Sequence, residues 1–182
     1  MKREDALQLL HDHLKNRNLV KHCLAVEACM KALAVQLGHD PEPWGLAGLV
    51  HDLDYETTEK SPELHTVETA RILEGLGVDP AVVHAVRAHA GKAACESPMD
   101  WAIYSVDPLT GLIIAAALMH PTKKITAIDL EFVKRRYKEK HFARGARREE
   151  IEQSVNLGLD LDTFIAISLA AMQGIAGELG LA

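Results

Sequence analysis

The sequence contains few aromatic residues, few cysteines and no long apolar run. Aromatic residues make up only 4% of the 182-residue chain, so smaller aliphatic side chains must fill most of a core. The three cysteines, Cys23, Cys29 and Cys95, include no CxxC pair, which argues against a disulfide framework or a thiolate zinc site. The longest stretches without an ionised group, 108–122 and 163–177, are shorter than the roughly 18 residues of a membrane-spanning helix. With no signal-peptide pattern at the N-terminus, we expect a cytoplasmic protein with no membrane association.

The fold class follows from the spacing of the apolar residues. Hydrophobic residues make up 48% of the chain and charged residues 25%, which is typical of a globular protein. Helical periodicity runs throughout, and neither strand alternation nor an internal repeat is present. We predict one all-α domain over residues 1–182, with a helical core at about 18–119 and a C-terminal helical extension at about 120–182.

Two short sequences have the pattern of a helix start, in which a capping residue precedes a proline. Ser-Pro-Glu at 61–63 predicts a helix that begins there and runs to Gly75 or Gly77. Asp-Pro-Ala at 79–81 predicts a second helix, which ends before Gly91.

Four polar residues, His22, His51, Asp52 and Asp107, lie on three predicted helices in strongly apolar surroundings. Asp107 precedes Pro108 within an apolar segment, and because proline removes a backbone donor we predict a kink or a restart of the helix there. A buried carboxylate needs a cation, a hydrogen-bond network or solvent. A shared divalent metal ion would satisfy all four groups, since mixed imidazole and carboxylate ligands suit first-row metals. The alternative is a buried polar network or a set of isolated helix caps.

The same residues carry a resemblance to a known family. His22, the doublet His51-Asp52 and then Asp107 resemble the H…HD…D signature of the HD superfamily of metal-dependent phosphohydrolases. The flanking sequences HCLAVE, LAGLVHDLD and VDPLTG resemble the family as well, and the segment after residue 119 resembles a bacterial subgroup of HD hydrolases. The resemblance implies an HD-type helical bundle that hydrolyses a small phosphorylated substrate, nucleotide-like in kind. The GYP motif of cyclic-di-GMP phosphodiesterases is absent, and the residues after the doublet depart from the (p)ppGpp-hydrolase pattern.

The resemblance also implies roles for individual residues. His22, His51, Asp52 and Asp107 would hold a divalent metal ion (Mn, Fe, Ni, Co, Zn or Mg), as one ion or as one of two. His65 and His89 would join Asp52 in catalysis by binding a second metal or phosphate, the alternative being a supporting or surface role. Lys60 and Lys92, in loops after the site helices, are predicted to contact substrate phosphate. His84 lies five residues before His89, a spacing that does not share a helix face, so we expect it to be structural.

Positive charge is concentrated in one segment of the chain. The chain carries a net charge of −6, but residues 123–148 contain ten Lys or Arg against three acidic residues, a balance of +7. This basic segment either binds nucleic acid or an acidic partner, or forms a solvated face that pairs with the acidic remainder. Because no series of stacking aromatics accompanies it, we do not expect nucleic acid as a partner. Two other functions stay open beside hydrolysis: oxygenation at a two-iron centre, which needs six ligands, and a non-catalytic binding module with a structural metal.

Overall fold

The computed structural model describes residues 1–182 and contains α-helices, short 3-10 helices and no strand. The predicted all-α class is therefore confirmed. The α-helices in chain order are α1 (Arg3–His13), α2 (Arg17–Gln36), α3 (Pro41–Val50), α4 (Tyr55–Thr58), α5 (Val67–Gly75), α6 (Pro80–His89), α7 (Pro98–Met119), α8 (Leu130–Lys138), α9 (Arg148–Ile151), α10 (Leu161–Gly174) and α11 (Ala176–Leu179). Two 3-10 helices cover Ile125–Ala127 and Glu152–Leu157.

Helices α2 and α7 form the centre of the bundle. Helix α2 packs against α3, α7 and α10, and α7 packs against α6 and the C-terminal elements, around one core of 44 buried residues. The crossing of α2 and α3 is close at Gly48, where an added Cβ would lie 2.8 Å from the backbone nitrogen of Glu27. Glycine at this position lets the end of α3 lie directly against α2.

The C-terminal helices pack on the same core. The side-chain amide of Gln173 in α10 donates to the carbonyl oxygens of Ile125 and Ile128 at 3.0 Å each, and the thiol of Cys29 donates to the carbonyl of Ser168 at 3.5 Å. The thiol contact ties α10 to α2, and the amide contacts tie α10 to the segment that follows α7.

Helix α7 is the most apolar element of the chain. Its 22 residues make it the one helix long and apolar enough to cross a membrane by length and composition. In the structure 12 of its residues are buried against neighbouring helices, from Met99 to Ala117. Burial within the bundle accounts for its hydropathy.

One predicted helix start is wrong, and one of two alternatives predicted at Asp107 is excluded. Helix α5 begins at Val67 rather than at 61–63, because the carboxylate of Asp54 accepts the N–H groups of Thr66 and Thr69 and so caps the helix from outside its own sequence. Helix α7 does not restart at Asp107 and continues through Pro108 to Met119, while the alternative of a kink at Asp107 stays a prediction. Packing of its buried face on both sides of the proline outweighs the loss of one hydrogen bond.

Candidate metal centre

The ends of several helices meet at one polar cluster inside the bundle. His22 lies in the second turn of α2, His51 and Asp52 follow directly after α3, and Asp107 lies in the middle of α7. His89 is the last residue of α6, and His65 lies in the turn before α5. The structure thus brings together all six histidines and aspartates that the sequence singled out as metal or catalytic candidates.

The first half of the cluster contains His22, His51 and Asp107. Nε2 of His22 lies 2.8 Å from Oδ1 of Asp107 and 3.3 Å from Nε2 of His51. Oδ2 of Asp52 faces the same space, 3.4 Å from Nε2 of His51 and 3.7 Å from Nε2 of His22. The four side chains therefore share a common centre.

The second half lies on the other side of the Asp52 carboxylate. Oδ1 of Asp52 is 3.3 Å from Nε2 of His65 and 3.5 Å from Nε2 of His89, and these two nitrogens are 3.2 Å apart. Each oxygen of Asp52 thus faces a different pair of histidines. The carboxylate of Asp52 therefore reaches both halves of the cluster.

Nδ1 of every histidine in the cluster, the ring nitrogen that points away from the cluster, is held by a hydrogen bond. The Nδ1–H groups of His51 and His89 donate to the main-chain carbonyl oxygens of Gly48 and Val86, at 2.8 and 2.5 Å. Nδ1–H of His65 donates to Asp54 at 2.9 Å, and Nδ1 of His22 lies 3.2 Å from Oγ1 of Thr110. Since the Thr110 hydroxyl itself donates to the carbonyl of Asp107 at 2.9 Å, its oxygen is free to accept from His22. All four neutral rings therefore present an Nε2 lone pair to the cluster.

This arrangement fits a divalent metal site. Lone pairs of Nε2 that face one another and the Asp52 and Asp107 carboxylates repel unless a cation or protons lie between them. Two groups of three residues, His22 with His51 and Asp107, and His51 with Asp52 and His89, have ligand atoms that all lie within 4.8 Å of one another. Imidazole and carboxylate together are a donor set typical of first-row divalent metals.

The histidines and aspartates of the cluster shift one another's pKa values. Burial alone would lower the pKa of His51, but the charge of Asp52 and the hydrogen bonds that the ring donates to Asp107 and Asp52 raise that pKa well above its usual value. The pKa of His65 is likewise raised, to about 9, because hydrogen bonds to Asp52 and Asp54 outweigh the effect of burial. Burial raises the pKa values of Asp52 and Asp107, but contacts with the histidines lower both overall. The carboxylates of the cluster thus favour a positive charge on His51 and His65.

Asp54 supports the cluster and was not singled out from the sequence. Its side chain is buried, with Oδ1 accepting the N–H of Thr66 at 3.0 Å and Nδ1–H of His65 at 2.9 Å. Oδ2 accepts the N–H of Thr69 at 3.0 Å. One carboxylate thus caps α5 and orients a histidine of the cluster. The available signal was a second aspartate two residues after the His51-Asp52 doublet in an apolar context.

An open cavity of about 560 Å³ leads to the cluster. Among the side chains that line it are His22, Asp52, His65, His89 and Asp107, together with Tyr55, Arg147 and Glu150. Arg147 is the one Lys or Arg in this lining, and its guanidinium pairs with Glu150. Sequence reasoning missed it because it lies 40 residues after Asp107, within the C-terminal extension.

Three other candidates lie outside the cavity. Lys60 and Lys92 are exposed and do not line it, so their contact with substrate phosphate stays a prediction without support from this geometry. His84 lies apart from the cluster with Nδ1 3.1 Å from Oδ2 of Asp100, consistent with the structural role expected for it.

Comparison with known proteins assigns the family. The profile of the HD domain matches residues 19–110, which is half of the chain and includes all six clustered histidines and aspartates described above, with Asp107 near its end. Ribonuclease Y of Clostridium kluyveri is 29% identical over 94 residues, covering 52% of this chain and 18% of that protein. Ribonuclease Y of Sulfurovum sp. is 26% identical over 136 residues, covering 73% of this chain and 27% of that protein.

The chain spans about a fifth to a quarter of the length of these curated relatives. No solved structure matches it significantly. The profile match and the placement of the signature residues in one cluster agree, and the chain belongs to the HD-domain family.

Proposed function

We propose that the protein is a metal-dependent phosphohydrolase whose cluster would hold two divalent ions, with Asp52 contributing to both sites. The observation that carries the proposal is the division of the cluster, in which the two oxygens of one buried carboxylate face separate pairs of Nε2 atoms. Membership of the HD-domain family supports it, because that family is mostly hydrolases.

The ligands divide into two sets. His22, His51, Asp52 and Asp107 would hold the first ion, and Asp52, His65 and His89 the second. Because imidazoles supply more than half of the donors, Mn, Fe, Co, Ni or Zn suits the centre better than Mg, which prefers oxygen ligands. The second set has only three protein ligands, which leaves positions for water and substrate.

The residues of the cavity would bind and orient the substrate. The bound metal ions would supply Lewis acidity at phosphoryl oxygen and lower the pKa of the attacking water toward about 7. Arg147 offers a guanidinium for a phosphate oxygen, in place of its present pairing with Glu150. His22 and Asp107 have side chains that are 21% and 28% exposed, so the cluster is open to a substrate from the cavity side.

The cavity limits the class of substrate. A volume of about 560 Å³ is large enough for a nucleotide, and the imidazole and guanidinium groups in its lining favour a phosphomonoester, a nucleotide or a phosphodiester over an apolar ligand. The relatives named ribonuclease Y support a phosphodiester in RNA as one such substrate. The sequence-based expectation that nucleic acid is not a partner therefore has no support here.

The experiment is a hydrolysis assay on p-nitrophenyl phosphate, bis-p-nitrophenyl phosphate and nucleotides with Mn, Fe, Co, Ni, Zn and Mg. We expect activity that depends on added metal and is lost in His51→Ala and in Asp52→Ala. His84→Ala is the matched control, since it also removes a histidine beside an aspartate but outside the cluster. Metal-independent activity equal in wild type and the His51 variant would reject the proposal.

A second candidate function is oxygenation at a two-iron centre. One observation favours it, because six side chains converge in the cluster and a two-iron oxygenase requires six ligands. Iron loading without oxygen, followed by Mössbauer spectroscopy and then oxygen addition, separates the two functions. Oxygen uptake coupled to oxidation of an organic substrate would favour oxygenation. A site that holds one ion would exclude it.

A further inference from the structure

A basic groove lies next to the cavity of the metal centre. It has a volume of about 440 Å³ and is lined by residues of α8, of the segment after it and of α9. Five of its eight lining residues are Lys or Arg, namely Lys138, Lys140, Arg144, Arg147 and Arg148, against one carboxylate, Glu149. The groove therefore gathers much of the excess positive charge that the sequence shows between residues 123 and 148.

The cations of this segment have different partners. Lys134 pairs with Glu131 and Asp162, and Arg136 pairs with Glu139, so neither is free for a ligand. The side chains of Lys138, Lys140 and Arg144 are exposed and form no ion pair. The guanidinium of Arg144 contacts only Nδ1 of His141, at 3.1 Å. Three cations without an ion pair thus lie in the lining of the groove.

Arg148 lines the groove and holds the loop beside it in place. Its guanidinium donates to the carbonyl oxygens of Tyr137, Phe142, Ala143 and Ala146, at 2.6 to 3.2 Å. These bonds hold the 142–146 segment in a compact loop, in which Ala143 adopts a left-handed conformation with φ of 45°. The guanidinium of Arg148 is therefore occupied by the carbonyl groups of the loop, whereas the guanidinium of Arg144 is available to a ligand.

The groove and the cavity are adjacent. Ala146 and Arg147 line both of them, so Arg147 lies at the boundary between the metal cluster and the free cations. A ligand with its reacting phosphate at the cluster would therefore have to extend past Arg147 to reach Arg144, Lys140 and Lys138.

We propose that this groove binds further phosphate groups of a substrate whose scissile phosphate lies at the metal centre. The substrate class is a chain of phosphates, either an oligonucleotide strand or a nucleoside polyphosphate. The inference rests on the proposed hydrolase function for the scissile phosphate. A single phosphate at the metal centre would not need these cations. Several unpaired cations in a row beside the cluster suit a ligand that carries several phosphates.

Binding to the metal-free protein tests the groove apart from catalysis. The probe is a short fluorescein-labelled single-stranded oligoadenylate, followed by anisotropy at several salt concentrations. With three groove cations in contact with phosphates, log K should fall against log salt with a slope of about −2. Arg144→Ala combined with Lys140→Ala should weaken binding roughly tenfold and reduce the slope, because each lost phosphate contact lowers it by about 1 at most.

Lys123→Ala combined with Lys124→Ala is the matched control, since it removes the same charge from the same basic segment but not from the groove. We expect no change in its affinity. Equal binding by the groove variant and wild type, or equal weakening in both double variants, would overturn the proposal. Displacement of the probe by polyglutamate as readily as by unlabelled oligoadenylate would also overturn it, because phosphate would not then be what the groove recognises.

Competition distinguishes the two sources of phosphate. ATP that displaces the probe at concentrations where AMP does not would identify a nucleoside polyphosphate, and displacement by oligoadenylate alone would identify a nucleic-acid strand. Lack of hydrolysis in every metal would reject the proposed function but would not change these binding curves. In a protein that does hydrolyse phosphoesters, an unchanged KM of the groove variant for oligoadenylate would contradict the groove proposal alone.

Discussion

Nδ1 of His65 lies 2.9 Å from Oδ1 of Asp54, and the same carboxylate accepts two main-chain N–H groups at the start of helix α5. The position of His65 in the cluster therefore depends on a residue that does not itself face the cluster. A carboxylate behind a histidine fixes the tautomer of the ring and makes Nε2 a stronger metal ligand. Asp54 thus links the local cap of a helix to the second half of the metal centre.

The first prediction concerns Asp54→Asn. An amide in this position offers one acceptor where the carboxylate offers two, so the orientation of His65 is no longer fixed. We expect the affinity for the second metal ion to fall about 10-fold to 100-fold, with the first ion retained. Metal titration followed by calorimetry measures both sites.

Asp100→Asn is the control for this change. Asp100 is also buried, lies 3.1 Å from Nδ1 of His84 and accepts main-chain N–H groups at the start of α7. It resembles Asp54 in its contacts but lies outside the cluster. Its replacement is expected to leave metal affinity unchanged, and an equal loss in both variants would mean that Asp54 acts only through stability.

A second prediction separates the two halves of the cluster. His65→Ala or His89→Ala removes a ligand from the second half alone, so each variant should retain one ion per chain where wild type binds two. Activity should fall by roughly 10²-fold or more, because charge stabilisation at the reacting phosphate is lost. Metal content by mass spectrometry and phosphate release provide the readouts. Two tightly bound ions in His65→Ala would contradict the division of ligands.

A third prediction follows from the raised pKa values of His51 and His65. The neighbouring carboxylates favour the protonated ring of both residues in the metal-free protein, since the pKa of His65 is raised to about 9 and that of His51 is raised well above its usual value. Metal ligation requires the neutral ring, so binding should release protons at pH 7, and affinity should rise as pH rises toward about 9. Calorimetry in buffers of different ionisation enthalpy counts the protons. Identical heats in all buffers would show that the rings are already neutral.

A fourth prediction concerns the close crossing of α2 and α3. In Gly48→Ala the added Cβ would meet the backbone of Val26 and Glu27 at 2.8 to 3.0 Å, which rigid helices cannot relieve without moving apart. We expect a loss of about 1–3 kcal/mol in the free energy of unfolding. Metal affinity should fall as well, because the Gly48 carbonyl accepts Nδ1–H of His51. Urea denaturation and metal titration measure the two effects.

Gly174→Ala is the control for the fourth prediction. Gly174 ends helix α10, and an added Cβ there would meet nothing within 4 Å. The substitution is expected to be neutral or to stabilise by up to about 1 kcal/mol. A comparable loss of stability in both variants would show that the α2–α3 crossing has no special requirement for glycine.

The helical class and most helix positions could be predicted from the sequence because apolar periodicity and proline-marked starts are local signals. The Asp79 cap and the helix to His89 depend only on neighbouring residues and agree with the structure. The start of α5 could not be predicted in this way, because its cap comes from Asp54, which lies more than ten residues earlier. Continuation of α7 through Pro108 likewise depends on tertiary packing.

The cluster could be anticipated to the extent that its residues interrupt apolar segments. His22, His51, Asp52 and Asp107 stand out as polar residues in apolar helices, and a family signature connects them. The contributions of Arg147 and Arg144 could not be anticipated, because a basic residue in a basic segment carries no sign of which face it occupies. Only the folded arrangement of α8 and α9 shows that these two arginines border the cavity and its neighbouring groove.

A crystal structure of the protein grown with Mn²⁺, with anomalous data collected at the manganese edge, tests the central claim most directly. The account predicts two anomalous peaks on either side of the Asp52 carboxylate, about 3.5–4 Å apart, one beside His22, His51 and Asp107 and the other beside His65 and His89. Absence of any peak within bonding distance of these side chains, at saturating metal, would contradict it.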